Sequence, residues 1–202
     1  MVLSGPSGVG KGTVLDAAMA CNTEAAKRLR RSISVTTRSH RPEERDGEDY
    51  FFCTPRRFAS MVRRGELLEH ATYLDHRYGT PREWVDQQLA AGYDVVLEIE
   101  VEGAMQVRRC CPKAVLIYML PPSWRALKQR LAKRRSESEE VQRRRLEVAR
   151  REMSYLKRYH YVITNDRIPR AASELLAILS AERARVARTG ADRLRLSLGP
   201  SA

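Results

Sequence analysis

The sequence predicts an α/β fold: a core parallel sheet flanked by helices. Three observations predict it. Short apolar segments alternate with helical patterns along most of the 202 residues. The strongest of them, Tyr93 to Glu100 and Ala114 to Leu120, carry apolar runs of the kind that parallel strands bury on both faces. A glycine-rich loop, Gly5-Pro6-Ser7-Gly8-Val9-Gly10-Lys11-Gly12-Thr13, joins the first strand directly to the first helix. The stretch from about 32 to 92 breaks the alternation and is expected to be an inserted lobe.

Taken in order, Met1 to Ser4 is a short strand, and a helix runs from about Lys11 to Cys21. Ser32 to Thr36 is a second strand, followed by a charged loop from Arg38 to Asp49 and a strand from Tyr50 to Cys53. Thr54-Pro55 starts a helix by cap and first-turn proline, and Gly65 ends it. Glu66 to Leu74 is a strand, with a turn expected around Arg77 to Gly79. Thr80-Pro81 repeats the helix-start signal and Gly92 closes that helix. Gly103 to Cys111 forms a crossover helix between the two strong strands, and Ser123 caps a helix reaching about Arg134. A long helix spans roughly Ser138 to Tyr159, with Val141, Arg145, Val148, Glu152 and Tyr155 along one edge. Tyr161 to Thr164 is the last strand, and a helix from about Pro169 to Arg188 follows. The first strand is expected at the centre of the sheet yet is only four residues long. That points to a start downstream of the natural one or to a trimmed sheet.

The totals bound the function. The chain is long enough for one domain with a full core, and 43% of it is hydrophobic. The longest apolar run falls far short of the ~20 residues a membrane span needs. No charged-then-apolar leader precedes the first strand, so export is not expected and a cytoplasmic location is. The four cysteines, at 21, 53, 110 and 111, form no C-x-x-C pair and read as reduced thiols. An excess of 37 basic over 25 acidic residues gives +12, which draws polyanions. Arginine dominates that excess, and its planar fork suits phosphate.

The glycine loop is the first specific signal. Gly5-x4-Gly10-Lys11 sits between strand and helix, the context that gives this spacing its meaning. Glycines let the backbone turn its N–H groups inward, and the helix N-terminus adds partial positive charge. Lys11 supplies a full charge for the β- and γ-phosphates. The strict pattern places Ser or Thr directly after the lysine, to touch Mg²⁺; here Gly12 stands there and Thr13 follows. The alternative is a plain glycine-rich turn.

The charged loop carries the second. Ser34-Val35-Thr36-Thr37-Arg38-Ser39-His40-Arg41-Pro42 continues through Glu43 to Asp49 into Tyr50-Phe51-Phe52. Alone, this is either a phosphate clamp or a surface loop. Together with the glycine loop it resembles the guanylate kinase family. The resemblance continues through Gly65-Glu66-Leu67-Leu68-Glu69-His70-Ala71, Tyr78-Gly79-Thr80-Pro81, Glu98 to Gly103, Leu120 to Ser123 and Asn165-Asp166, covering about 2 to 185.

The resemblance implies a P-loop three-layer fold with an inserted mixed-β lobe for the nucleoside monophosphate and a helical lid. It implies transfer of the γ-phosphate of ATP to GMP, with Mg²⁺, in purine nucleotide metabolism. By that match, residues 1–31, 93–125 and 160–190 form the core, 32–92 the GMP lobe, 126–159 the lid region and 191–202 a tail. Gly5 to Thr13 match the ATP phosphate loop, and Asn165 falls near the ATP base. Arg38, Arg41, Tyr50 and Tyr78 match positions that hold the GMP phosphate, and Ser34, Glu69 and Thr80 match positions that read guanine. Arg130, Arg134 and Arg145 match arginines that close on the transferring phosphates; with Lys11 and Arg38 they are the expected catalytic set. Glu98 and Glu100 share one strand face and fit either the guanine edge or an acidic place facing Mg²⁺ through water. The family usually has Asp where Glu100 stands, Gln where Glu102 stands and often Gly where Arg135 stands.

The chemistry suits these residues. A phosphate monoester with a second pKa near 6 is already a nucleophile at neutral pH. No general base is needed, and the burden falls on placement and positive charge. Guanine presents two adjacent donors that one carboxylate, such as Glu69, can accept. Adenine would leave that carboxylate unpaired, a discrimination worth ~10⁴-fold in a closed site.

Three other readings compete. One is a related kinase for another nucleoside monophosphate or a sugar phosphate. Another is a non-catalytic guanylate-kinase-like binding module, against which the intact Lys11 counts. The third is nucleic-acid binding. The sequence lacks the interleaved aromatic and basic residues that stack bases, so no specific nucleic acid is expected. The partners expected are ATP and GMP, with no membrane, and a homo-oligomer is left open.

Overall fold

The computed structural model describes residues 1–73, 75–132 and 139–185. The core is a five-stranded parallel sheet in the order β2-β7-β1-β8-β9. Its strands are β1 (Val2–Ser4), β2 (Leu29–Arg31), β7 (Asp94–Glu98), β8 (Leu116–Leu120) and β9 (Tyr161–Thr164). Short as it is, β1 lies in the middle, with Val2 paired to Leu97 on one side and Leu116 on the other.

Strand side chains alternate, so each strand feeds two helical layers. Leu3, Val96, Ile117, Met119 and Ile163 point to one side. They pack with α1 (Lys11–Met19), α2 (Glu24–Arg28) and α8 (Ile168–Arg183). Val2, Val95, Leu97 and Leu116 point to the other, against α4 (Arg82–Ala90) and α5 (Val101–Cys110). Ser4 and Tyr118, paired in register, share that second side by the same alternation. Two further helices follow β8: α6 (Trp124–Ala132), begun by the Ser123 hydroxyl accepting from the Ala126 amide, and α7 (Glu139–Met153).

A second sheet, β4-β3-β6-β5, is mixed. It comprises β3 (Ser34–Thr36), β4 (Tyr50–Phe52), β5 (Leu67–Tyr73) and β6 (His76–Pro81). β3 runs parallel to β4 and antiparallel to β6. Helix α3 (Pro55–Arg63), capped by the Thr54 hydroxyl, buries Phe58 against Val35 and Leu67. That small cluster is separate from the core of the main sheet.

Several elements depart from the sequence expectation. The strand expected over Ser32 to Thr36 is the shorter β3, starting at Ser34, and a separate strand of the other sheet, β2, ends just before it at Arg31. The Ser32 amide bonds the Val96 carbonyl, so the chain leaves the core sheet there. Leu29–Arg31 was hidden because its arginines mask a single buried leucine. The turn expected at Arg77 to Gly79 is instead the middle of β6; the reversal lies near Asp75, at a φ of 64°. Thr80 is a strand residue rather than a helix cap, and Pro81 takes the cap position. α7 ends at Met153, and a 3-10 turn (Leu156–Arg158) completes the stretch expected to be helical.

Phe58→Ala should remove about 3–5 kcal/mol from the second sheet's own core. Hydrogen exchange should rise in β3, β5 and α3 well before β1 and β8, because small separate cores open locally.

Candidate active site

The glycine loop runs from β1 into α1 and folds around its own lysine. The Lys11 ammonium donates to the Gly5 carbonyl at 2.7 Å and lies 3.4 Å from Glu100 Oε1. It is only 8% exposed. Gly5 has a φ of 147°, and a Cβ there would collide with the Met119 carbonyl. Gly10, at 92°, would bring a Cβ within 2.7 Å of Asn165 Nδ2. The loop is therefore pressed against β8 and the end of β9, with backbone where side chains would not fit.

Three side chains hold the loop from outside. Asn165 Nδ2 donates to the Val9 carbonyl at 2.8 Å, and its Oδ1 is buried with no hydrogen-bond partner among the described residues. Arg130 donates to the same Val9 carbonyl at 3.0 Å and to the Asn165 carbonyl at 2.9 Å. Arg145, on α7, donates to the Ser7 hydroxyl at 2.8 Å. Two of the expected catalytic arginines thus converge on the loop; Arg134 lies outside the described residues.

The acids stand opposite. Glu98 ends β7 and lies 3.7 Å from the Arg31 guanidinium. Burial raises the Glu98 carboxyl above the usual carboxylate range, helped by Asp16 and Glu100 and opposed by Arg31 and Lys11. Arg31 also donates to Asp16 and to the Gly12 carbonyl, at 2.7 and 3.1 Å. A Cβ on Gly12 would stand 3.2 Å from the Glu98 carboxylate, tighter than ordinary contact. The departure at Gly12 and the placement of Glu98 are thus one feature: the missing side chain makes room for the acid. Thr13 is exposed. Among the described residues no group of three or more His, Cys, Asp or Glu is placed to hold a metal. One or two carboxylates beside bound phosphates are what Mg²⁺ ordinarily requires, so Glu98 and Glu100 fit it.

The second sheet carries the other residues. Arg38 forms a two-pronged pair with Glu44, at 2.6 and 3.0 Å, with both side chains 13% exposed. Glu44 raises the Arg38 guanidinium further above neutrality and is itself held below the usual carboxylate range. The Tyr50 ring lies 5.2 Å from the Arg38 guanidinium and 6.1 Å from the Tyr78 ring. Ser34 pairs in register with Tyr50, and Tyr78 with Thr36. Arg41 is exposed; its amide donates to Glu44. Glu69, 5% exposed on β5, accepts from the Thr80 hydroxyl at 2.7 Å. Burial, then the charge of Glu102, pushes Glu69 up to about 7 against the pull of Thr80. Gly103 gives its other oxygen room, since a Cβ there would stand 2.5 Å away.

Two carboxylates escaped the sequence reading. Glu44 looked like one acid among several in a charged loop; only the fold lays it along the Arg38 fork. Glu152, on α7, lies beside the Val101 amide and near Glu100 and Lys11; burial, then Glu100, lifts it to about 7. Its spacing from Arg145, about two helical turns, was the available signal.

The guanylate kinase family model matches residues 1–182. The chain belongs to the guanylate kinase family. A guanylate kinase of Desulfitobacterium hafniense is 45% identical over 188 residues, 93% of this chain and 92% of that one. A guanylate kinase of Thermus thermophilus is 48% identical over 197 residues, 98% of this chain and 87% of that one. The crystal structure of guanylate kinase from Anaplasma phagocytophilum has a TM-score of 0.75 at 31% identity, covering 100% of this chain and 95% of that one. No described helix is long and apolar enough to cross a membrane.

Arg130→Ala should destabilise the protein by roughly 1.5–3 kcal/mol, the scale of hydrogen bonds from a charged donor. Arg130→Lys should not restore it, because one ammonium lacks the fork that reaches both carbonyls. Thermal melting of the unliganded variants reads this directly.

Proposed function

We propose that this guanylate kinase family member transfers the γ-phosphate of ATP to GMP, giving ADP and GDP by in-line phosphoryl transfer. The observation that carries the reading is the intact loop around the buried Lys11. A binding module has no use for a lysine held in a phosphate cradle.

In this reading ATP phosphates lie on the amides of Gly8 to Thr13, and Lys11 exchanges the Gly5 carbonyl for phosphate oxygens. Asn165 borders the ATP base. GMP lies along the second sheet. Arg38, Arg41, Tyr50 and Tyr78 take its phosphate, and Ser34, Glu69 and Thr80 take the guanine. The Glu44 pair fixes the Arg38 fork before substrate arrives, so little side-chain freedom is lost on binding. The GMP phosphate needs no base, and the reaction is driven by placement and by Lys11, Arg38, Arg130, Arg134 and Arg145 around the moving charge. Glu98 or Glu100 would hold Mg²⁺ through water, and the ion would supply charge neutralisation at the phosphate oxygens. In this reading residues 1–31, 93–125 and 160–190 serve as the core, 32–92 as the GMP lobe and 126–159 as the lid region. A reaction on free nucleotide pools fits a cytoplasmic enzyme with small-molecule partners.

A coupled ADP-release assay should show turnover with GMP and Mg²⁺ and far less with AMP; faster turnover of AMP would overturn the assignment. Lys11→Met should lower kcat by about 10²-fold or more, the scale of one lost electrostatic contact to the reacting group.

The ionised form of Glu69 is the one that accepts two guanine donors. With its carboxyl at about 7, roughly a tenth is ionised at pH 6 and nine-tenths at pH 8. KM for GMP should therefore fall about twentyfold over that interval in the wild type, about tenfold from Glu69 and about twofold from the second ionisation of GMP. In Glu69→Gln only the second ionisation of GMP itself remains, a change of about twofold.

A further inference from the structure

Four buried oxygens on the α5 side of the core sheet have no hydrogen-bond partner among the described residues: Ser4 Oγ, Tyr118 Oη, Tyr159 Oη and Glu152 Oε2. Ser4 and Tyr118 are completely buried. Native interiors rarely leave such groups unpaired, and each deserves a cause. Here they occupy one place. Ser4 and Tyr118 are register partners on adjacent strands. The Tyr159 ring stands edge-on to Tyr118 at 4.9 Å, and the Ser4 hydroxyl approaches that of Tyr159. Glu152 lies close enough to influence both phenols.

Three of these groups are hydroxyl donors, and the fourth is a carboxylate oxygen that accepts. They form a matched set carried on different elements: β1, β8, the segment before β9, and α7. Glu152 is the only member on α7, and it touches the site's framework as well. Its carboxylate lies beside the amide of Val101, the first residue of α5 and the neighbour of Glu100. Glu100 in turn lies 3.4 Å from Lys11. About two turns back along α7, Arg145 donates to Ser7 of the glycine loop. One helix thus reaches the site at two places, by Arg145 at Ser7 of the loop and by Glu152 beside Val101.

We propose that Glu152 is a positioning residue. Buried beside the Val101 amide and near the phenols of Tyr118 and Tyr159, it ties α7 and its Arg145 to the Glu100–Lys11 pair. Movement of α7 then carries a phosphate-facing arginine and the support of the lysine together. The inference rests on the phosphotransferase reading above, since it assigns Lys11 and Arg145 their work.

Steady-state kinetics and thermal melts on the single variants and one double variant test it. Misplacing a reacting group by about 1 Å can cost ~10²-fold, so Glu152→Ala should lower kcat by about 10- to 100-fold. KM for GMP should stay within about twofold, because Glu69 and Arg38 are untouched. Glu152→Gln keeps an oxygen for the Val101 amide and should recover most of that loss, to within about threefold of wild type. Tyr118→Phe deletes one hydroxyl without changing the packing and should lower kcat by about two- to tenfold, even if Glu152→Ala does not fold. Arg145→Ala combined with Glu152→Ala should lose clearly less than the product of the single losses, because both act through α7. Unchanged kcat in Glu152→Ala or in Tyr118→Phe, no recovery by Glu152→Gln, or independent losses in the double variant would each overturn the inference. A wild type that forms no GDP would overturn the phosphotransferase reading and this one together, whereas an active wild type with an equally active Glu152→Ala overturns this one alone.

Discussion

The bond from Lys11 to the Gly5 carbonyl is the constraint on which the rest of the structure turns. It closes the glycine loop on the only cation the loop contains. A buried ammonium needs a partner, and the loop supplies one from its own backbone. The closure in turn demands the dihedrals of Gly5 and Gly10, the support of Asn165 and Arg130 behind Val9, and a strand short enough to deliver the chain at that point. A phosphate competes for an ammonium already aimed inward and already stripped of most of its water.

Charge is arranged around that closure in opposing pairs. Lys11 faces Glu100, Arg31 faces Glu98 and Asp16, and Arg38 faces Glu44. The +12 of the whole chain is therefore a poor guide to the site, where several cations are locally matched. Matched arginines are pre-aimed, which spares a binding phosphate the freezing of long side chains. Gly12 belongs to the same arrangement. A hydroxyl-bearing residue there would press on Glu98, so this chain gives up one oxygen and keeps a carboxylate close to the loop.

Much of the fold was legible because its signals are local. The loop glycines, Thr54-Pro55, and the apolar runs of β7 and β8 are each decided within a few residues. What escaped is decided at a distance. Leu29–Arg31 is a strand only because β7 pairs with it, and Tyr78 to Thr80 lies in β6 only because β3 and β5 flank it. The same division holds in the site. Lys11, Arg38, Glu69, Thr80 and Arg145 were named from motifs, and the structure places each within reach of other named residues. Glu44 and Gly103 lie inside the family-like stretches but carried no role there, and Glu152 lies outside them. Their roles come from what folds against them: the Arg38 fork, the Glu69 carboxylate and the Val101 amide.

The central claim is that Lys11 trades its backbone partner for phosphate while two nucleotides are held end to end. A crystal structure of the protein with GMP and a non-hydrolysable ATP analogue tests it most directly. The account predicts Lys11 Nζ off the Gly5 carbonyl and within hydrogen-bond distance of a β- or γ-phosphate oxygen, with Arg38 on the GMP phosphate and Glu69 on the guanine edge. An ammonium still bonded to Gly5, with both nucleotides bound elsewhere, would contradict it.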